Sequence, residues 1–349
     1  MRITTKPRQF AGTSQAQLAS LWDAGGLETR ARQSHFMQRA SSKMPGQDCV
    51  ALLTTALLDD PAVSLGGLCA LLRPRNSHAV LPPQALHHRL TSPPAGTYMQ
   101  EVCQLALRLH LAPFSTQLTP HGRAPFGRVF LADSTPCRRH HTLADAFTGS
   151  GGSARSSAVK IAGMYALLHH RLHALSVTDG RAADQGHAAA MVPHLQAGAL
   201  VIRALGYFSV AVLEPLVTQQ AWFHSRFSTT VAVSLSAAAS APALALVEHV
   251  QRHAAQGAVV ELAGYRGHSR LPCRGLAYCV PEDVVAQRRR SAYATARKQG
   301  RTPTQASLHW LQCGWYSTNV RSAIWAATVV ATVYRIRWHM ELLLKQWQA

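Results

Sequence analysis

Acidic residues are scarce in this chain: 16 Asp and Glu stand against 35 Lys and Arg in 349 residues, a formal net charge of +19. An excess of that size points to a polyanionic partner, nucleic acid first and an anionic membrane surface second. Paired cysteines are missing as well. The seven cysteines form no CxxC pair and are odd in number. That argues against a zinc ribbon or a disulfide scaffold and for a reduced, cytosolic chain. The His doublets at 87–88, 140–141 and 169–170 have neither the spacing nor the Cys or Glu companions of a zinc site. Long apolar runs are also lacking. The least polar stretch, 231–247, is rich in Ala and Ser and broken by Pro242, so neither a membrane-spanning helix nor a secretory leader is expected.

What is present divides into four stretches. Residues 1–115 read as a helical N-terminal DNA-binding region. "SQAQLASLWDAGG", "CVALLTTALLDD", "GGLCALLRP" and "TYMQEVCQLALRLHLAPF" place apolar residues at helical spacing, and Pro82, Pro83, Pro93 and Pro94 punctuate them. From 116 to 228 the pattern turns to mixed α/β. "GRVFLADS" is an apolar strand ending in an acid, and "SSAVKIAGMYALL" with "RLHALSVTDG" reads as a hairpin. A helix, the strand "GALVIRA" and a further strand in "QAWFHSRFS" complete that part. Residues 229–305 break the rhythm with a β pair and the basic helix "PEDVVAQRRRSAYATARKQG", which reads as a β-rich insertion. Residues 306–349 return to the core pattern with the strand "CGWYSTNV" and one long helix or two.

Two acids stand out. Asp133 follows an apolar strand, at the end of an open α/β sheet where ligands bind. Glu341 lies on a helix whose Tyr334, Arg337, Glu341, Lys345 and Gln348 fall on one face, at steps of three or four residues. Around that seam Trp338, Met340, Leu342 and Leu344 are apolar, the pattern of a helix buried on several sides. The densest basic stretch holds Arg288, Arg289, Arg290, Arg297, Lys298 and Arg301. Such a helix suits phosphate contacts that give affinity with little sequence information. Trp315, Trp325 and Trp338 are read first as core residues. The Gly149, Gly151 and Gly152 loop is read as a flexible linker.

In order along the chain, "LADST", "FTGSGGSARSSAVKI", "VIRALGYF", "WYSTNV" and "VYRIRWHMELLLK" resemble the landmarks of bacterial insertion-sequence transposases of the DDE class, the subgroup with a Tyr-Arg-Glu-Lys signature. The resemblance implies an α/β ribonuclease H-like mixed sheet with a β-rich insertion, preceded by a helical region. It implies three carboxylates holding two Mg²⁺ or Mn²⁺ ions. Water attacks a DNA strand first, and the freed 3′-OH then attacks target DNA. The implied partners are double-stranded DNA (terminal inverted repeats and target) and a second copy of the chain, in the bacterial cytoplasm at the nucleoid. Asp133 matches the first acid and Glu341 the third, with Tyr334 and Arg337 near the DNA. The second acid belongs after Arg203, where this chain carries Ala204. Asp179 is two strands from Asp133, roughly 10 Å, too far to substitute, and Asp184 is no better placed. Gln348 stands where the signature has Lys, with Lys345 one turn earlier able to reach the same neighbourhood. Family members continue into a C-terminal region that helps them pair, so a truncated copy is expected. The alternative to an active transposase is a catalytically dead DNA-binding remnant that inhibits an active copy.

Overall fold

The computed structural model describes residues 26–39, 43–59, 63–73, 81–115, 125–139, 141–149, 156–207, 209–227, 232–253 and 259–346. The chain divides into two compact units, 1–113 and 114–349. Within the first, helices α1 (Gly26–Gln33), α2 (Gly46–Asp59), α3 (Leu65–Leu72), α4 (Pro83–Leu90) and α5 (Pro93–Ser115) surround one core of Leu27, Met44, Val50, Leu52, Leu72, Leu86 and Tyr98. The prolines sit where helices begin, since a missing N–H costs nothing in a first turn. Phe36 stacks on Tyr98 at 4.9 Å, and Arg89 closes over Phe36 while its Nη2 donates to the Phe36 carbonyl. The helix expected in "SQAQLASLWDAGG" lies outside the described residues, apart from its last glycine.

In the second unit nine strands of the described residues join one sheet. They are β1 (Arg128–Arg139), β2 (Ser157–Ala166), β3 (Arg171–Asp179), β4 (Ala199–Arg203), β5 (Trp222–Arg226), β6 (Val233–Ser234), β7 (Val259–Arg266), β8 (Leu271–Cys279) and β9 (Cys313–Thr318). Their order is β3-β2-β1-β4-β5-β9-β8-β7-β6. β1, β4 and β5 run parallel, and β2 runs antiparallel between β1 and β3. That is the ribonuclease H-like arrangement. Every residue of β4 is buried, which is why "ALVIR" is a continuous apolar run apart from its arginine. β1 does not end at its acid: it pairs with β2 as far as Arg139↔Ser157, whereas β4 accompanies it only to Ala132↔Arg203. Asp133 therefore stands mid-strand, one residue beyond the point where its parallel neighbour leaves. The segment 229–305 contributes β6, β7 and β8, which extend the same sheet beyond β9.

Side chains alternate across this sheet. Phe130, Ala132, Val201 and Phe223 face a core shared with Tyr207 and with α6 (Asp184–Met191) and α7 (Val210–Thr218). The opposite face carries Asp133 and, at the same register on β2, Gly163. The final pattern forms two helices, α11 (Ala327–Arg335) and α12 (Arg337–Gln346). Before them in the chain, after α7, come α8 (Leu246–His253), α9 (Glu282–Lys298) and α10 (Gln305–Trp310). α9 has Glu282 and Asp283 in its first turn and Arg297 and Lys298 in its last, the charge order its dipole favours, and Gly300 at φ +65° follows its end.

A Cβ at Gly163 would lie 2.9 Å from the Met340 methyl of α12, so glycine here lets the last helix settle on β2. Gly163→Val should lower stability by about 1–3 kcal/mol through overpacking. Urea denaturation measures that loss, and an unchanged midpoint would mean α12 is not seated there.

Candidate active site

Arg337 opens α12, and its guanidinium holds two acids at once. Nη1 donates to Asp133 Oδ2 on β1, and Nη2 donates to Glu341 Oε2 one turn along at 2.7 Å. All three groups are largely buried. Burial pushes the Asp133 carboxyl up to about 6. It outweighs the pull of Arg337 and of the Ser134 N–H, and the Glu341 and Asp184 charges add to the rise. For Arg337 burial works against the charge, but Tyr334, Asp133 and Glu341 together hold it above its ordinary value. The two shifts point in opposite senses for one ion pair: the guanidinium stays charged, and the desolvated Asp133 is its weaker member.

An aromatic cluster fixes the angle at which α11 delivers α12. His224, fully buried on β5, has its Nε2 2.8 Å from the Val330 carbonyl, so that nitrogen carries the proton. Burial lowers this ring to about 4, so it is neutral. Trp325, Tyr316 and Tyr334 pack around it, and Arg337 lies over the Tyr334 ring at 5.3 Å. Tyr334 thus backs the arginine. Trp325 and Trp315 are core residues, the latter stacked on Trp310 at 4.0 Å. Trp338 departs from the core reading: half its surface is exposed, because at its helical angle it turns away from the Met340 and Leu344 side of α12.

Ala204 directly follows β4, and its methyl packs against the core on the α6 and α7 face. Ser134 stands between the two faces: its N–H donates to Asp133 Oδ1 at 2.9 Å, and its hydroxyl donates to Asp184 Oδ1 at 2.7 Å. Lys160 of β2 pairs with the same Asp184 oxygen at 3.0 Å. A Cβ at Gly206 would collide with Asp184 Oδ2, so that carboxylate also braces the turn after Ala204. Asp184 thereby sits closer to the site than its sequence position suggests, yet it is committed to the far side of β1. Asp179 is tied to its own loop, accepting from the Thr148 and Arg181 N–H groups.

The basic helix α9 divides by face. Arg288 turns inward and donates to the Leu311 and Cys313 carbonyls at 3.0 and 3.1 Å, a packing role where DNA contact was expected. Arg289 is half-buried and lies 3.7 Å from Glu282. Arg290, Arg297 and Lys298 are exposed. The Lys345 side chain, Gln348, Gly151 and Gly152 lie outside the described residues. The sequence reading missed Lys160, Arg203 and His224. A cation inside an otherwise apolar strand, as in "AVKIAG" and "VIRALG", was the available signal for the first two.

Measured against a divalent cation, Asp133 and Glu341 are fitting in kind: hard oxygen donors from two elements converge on one positive group. The Arg337 guanidinium occupies that place, and among the described residues no three His, Cys, Asp or Glu side chains are placed to hold an ion together. An ion held by both carboxylates would share them with this guanidinium.

Acids from the first strand and a late helix, meeting on a ribonuclease H-like sheet, define the class of DNA-processing enzymes to which the sequence motifs pointed. The transposase DDE domain model matches residues 124–349, and the chain belongs to that family. Its relatives are transposases of bacterial insertion sequences. It is 23% identical over 337 residues to the transposase of element IS231B from Bacillus thuringiensis subsp. berliner, which covers 93% of this chain and 70% of that one. It is 25% identical over 243 residues to the transposase of IS1151 from Clostridium perfringens, covering 65% and 51%. Among solved structures, the piggyBac transposase synaptic complex with hairpin DNA matches at 8% identity and a TM-score of 0.39, over 93% of this chain and 67% of that one. The family acts on DNA and uses a divalent metal. No helix among the described residues is long and apolar enough to cross a membrane.

The Asp133 shift has a sign. Its folded pKa, about 6, exceeds the ordinary 3.8, so the stability it lends is complete below pH 3.8 and lost as pH rises through 6. In metal-free buffer, Asp133→Asn should flatten the stability profile between pH 4 and 6.5, removing up to about 3 kcal/mol of pH dependence. Urea midpoints at both ends of that window test it. A variant profile parallel to the parent's would place the titration elsewhere.

Proposed function

We propose that this chain binds the ends of an insertion sequence as a homodimer and acts on DNA phosphodiesters through Asp133 and Glu341, with Ala204 standing where a third carboxylate belongs. The observation that carries the reading is the single cation, Arg337, held by acids from β1 and α12. Asp133 and Glu341 are the residues that would hold Mg²⁺ or Mn²⁺. When bound, such an ion activates the attacking water and stabilises the leaving oxygen. Arg337 keeps the two carboxylates together in the ion's absence, and Tyr334 limits where its guanidinium can go. A methyl at 204 offers no oxygen donor, so a site meant for two ions is one acid short, and cleavage by this chain is expected to be badly impaired.

DNA contact is assigned to the exposed cations of α9 and to the helical region 1–115. Arg290, Arg297 and Lys298 suit phosphates, which fix position and give steep salt dependence without reading bases. Each one changed to Ala should lower the slope of log K against log salt by about 0.9 on duplex DNA. An unchanged slope for all three would remove α9 from the interface.

The metal reading is tested by calorimetry with Mn²⁺ and a DNA duplex, on this chain and its Ala204→Asp variant. Tight binding by the variant alone supports an intact cradle missing one ligand. Equal binding by both overturns the assignment of position 204.

A further inference from the structure

Arg203 is the last residue of β4, immediately before Ala204. Only 2% of it is exposed, and among the described residues none of its three guanidinium nitrogens has a hydrogen-bond partner. Arginine does not shed its proton in a protein, so this is a buried charge with no acceptor among the described residues. Leaving such a charge unpaired is strongly unfavourable.

At the same register across the sheet, Arg203 is followed by Ser225, Ser317 and Gly275, so the neighbouring positions carry small side chains. Tyr207 is 1% exposed and bears on the charge of Arg203, and the Ser134 hydroxyl and the Asp184 and Asp133 carboxylates bear on its phenol in turn. The Ala204 methyl packs into the same core face. A guanidinium with no acceptor among the described residues, and a phenol beside it, thus lie next to a side chain two bonds shorter than a carboxylate requires.

We propose that Arg203 and Tyr207, beside the Ala204 methyl, form a binding site for a small oxyanion, between formate and phosphate in size. The anion supplies the negative charge that a carboxylate side chain at 204 would have offered to Arg203. Burial of the guanidinium sets the size limit, because a DNA strand cannot reach a side chain only 2% exposed. The link to position 204 rests on the reading of that position given above, whereas the anion site itself rests on Arg203 alone.

Sodium formate is the probe, titrated against sodium chloride at matched concentration, with thermal unfolding of the full chain as the readout. The unmodified chain should show a saturable rise in Tm of about 2–4 °C with formate over chloride. Arg203→Met should abolish the response and, without formate, melt no lower than the parent, because an unpaired buried charge has gone. No formate-specific rise in the parent, or an equal rise in Arg203→Met, overturns the site. Ala204→Asp should also abolish the response. If that variant responds like the parent, the link to position 204 is overturned while the anion site stands. Mn²⁺ calorimetry on the same variant judges the metal reading separately. Inorganic phosphate in place of formate, with and without duplex DNA, separates sources: suppression by DNA marks a strand phosphate and overturns the size limit, and an unchanged response supports a free anion.

Discussion

One guanidinium holds the site together. Arg337 joins Asp133 across 204 residues of chain, and it joins Glu341 within its own helix. Everything between serves that meeting. β4 must end one residue short of Asp133 to leave room, and the His224 cluster must turn α11 so that α12 starts over β1. Gly163 must stay bare beneath Met340. The cost is a carboxylate taken out of water, as the raised Asp133 pKa records.

The pair also explains why charge is distributed as it is. Asp184 has Lys160, and Asp133 and Glu341 share Arg337, so each of these acids is held by a cation, from another element for Asp184 and Asp133 and from its own helix for Glu341. Arg203 is the exception, a cation without its acid. Polar groups left unsatisfied inside a protein tend to sit where function does. Here the imbalance falls at the last residue of β4, beside Ala204.

Much of this was legible beforehand, for physical reasons. β4 is buried on both faces, and so it reads as an apolar run interrupted only by its final arginine. The hairpin of β2 and β3 keeps its turn at His169 and His170, and the seam from Tyr334 to Glu341 follows helical spacing. What could not be read was direction. Three consecutive arginines step 100° apart around a helix, and nothing in "QRRR" says that Arg288 is the one turned inward. Nor does a strand's apolar run say which neighbour abandons it first, so Asp133 looked terminal when it is central to β1. Trp338 was similarly misjudged, because an aromatic residue beside a buried seam can lie just past its edge.

The place of β6, β7 and β8 has a consequence for how the molecule could be trimmed. In the chain they interrupt the core between β5 and β9, as a detachable module would. In space β8 covers the whole length of β9, from Cys279↔Cys313 to Arg274↔Thr318. Excising residues 229–305 would strip that partner away and leave a row of open amide and carbonyl groups along β9. Such a border recruits other chains, so the shortened protein would be driven toward self-association rather than toward a smaller working core.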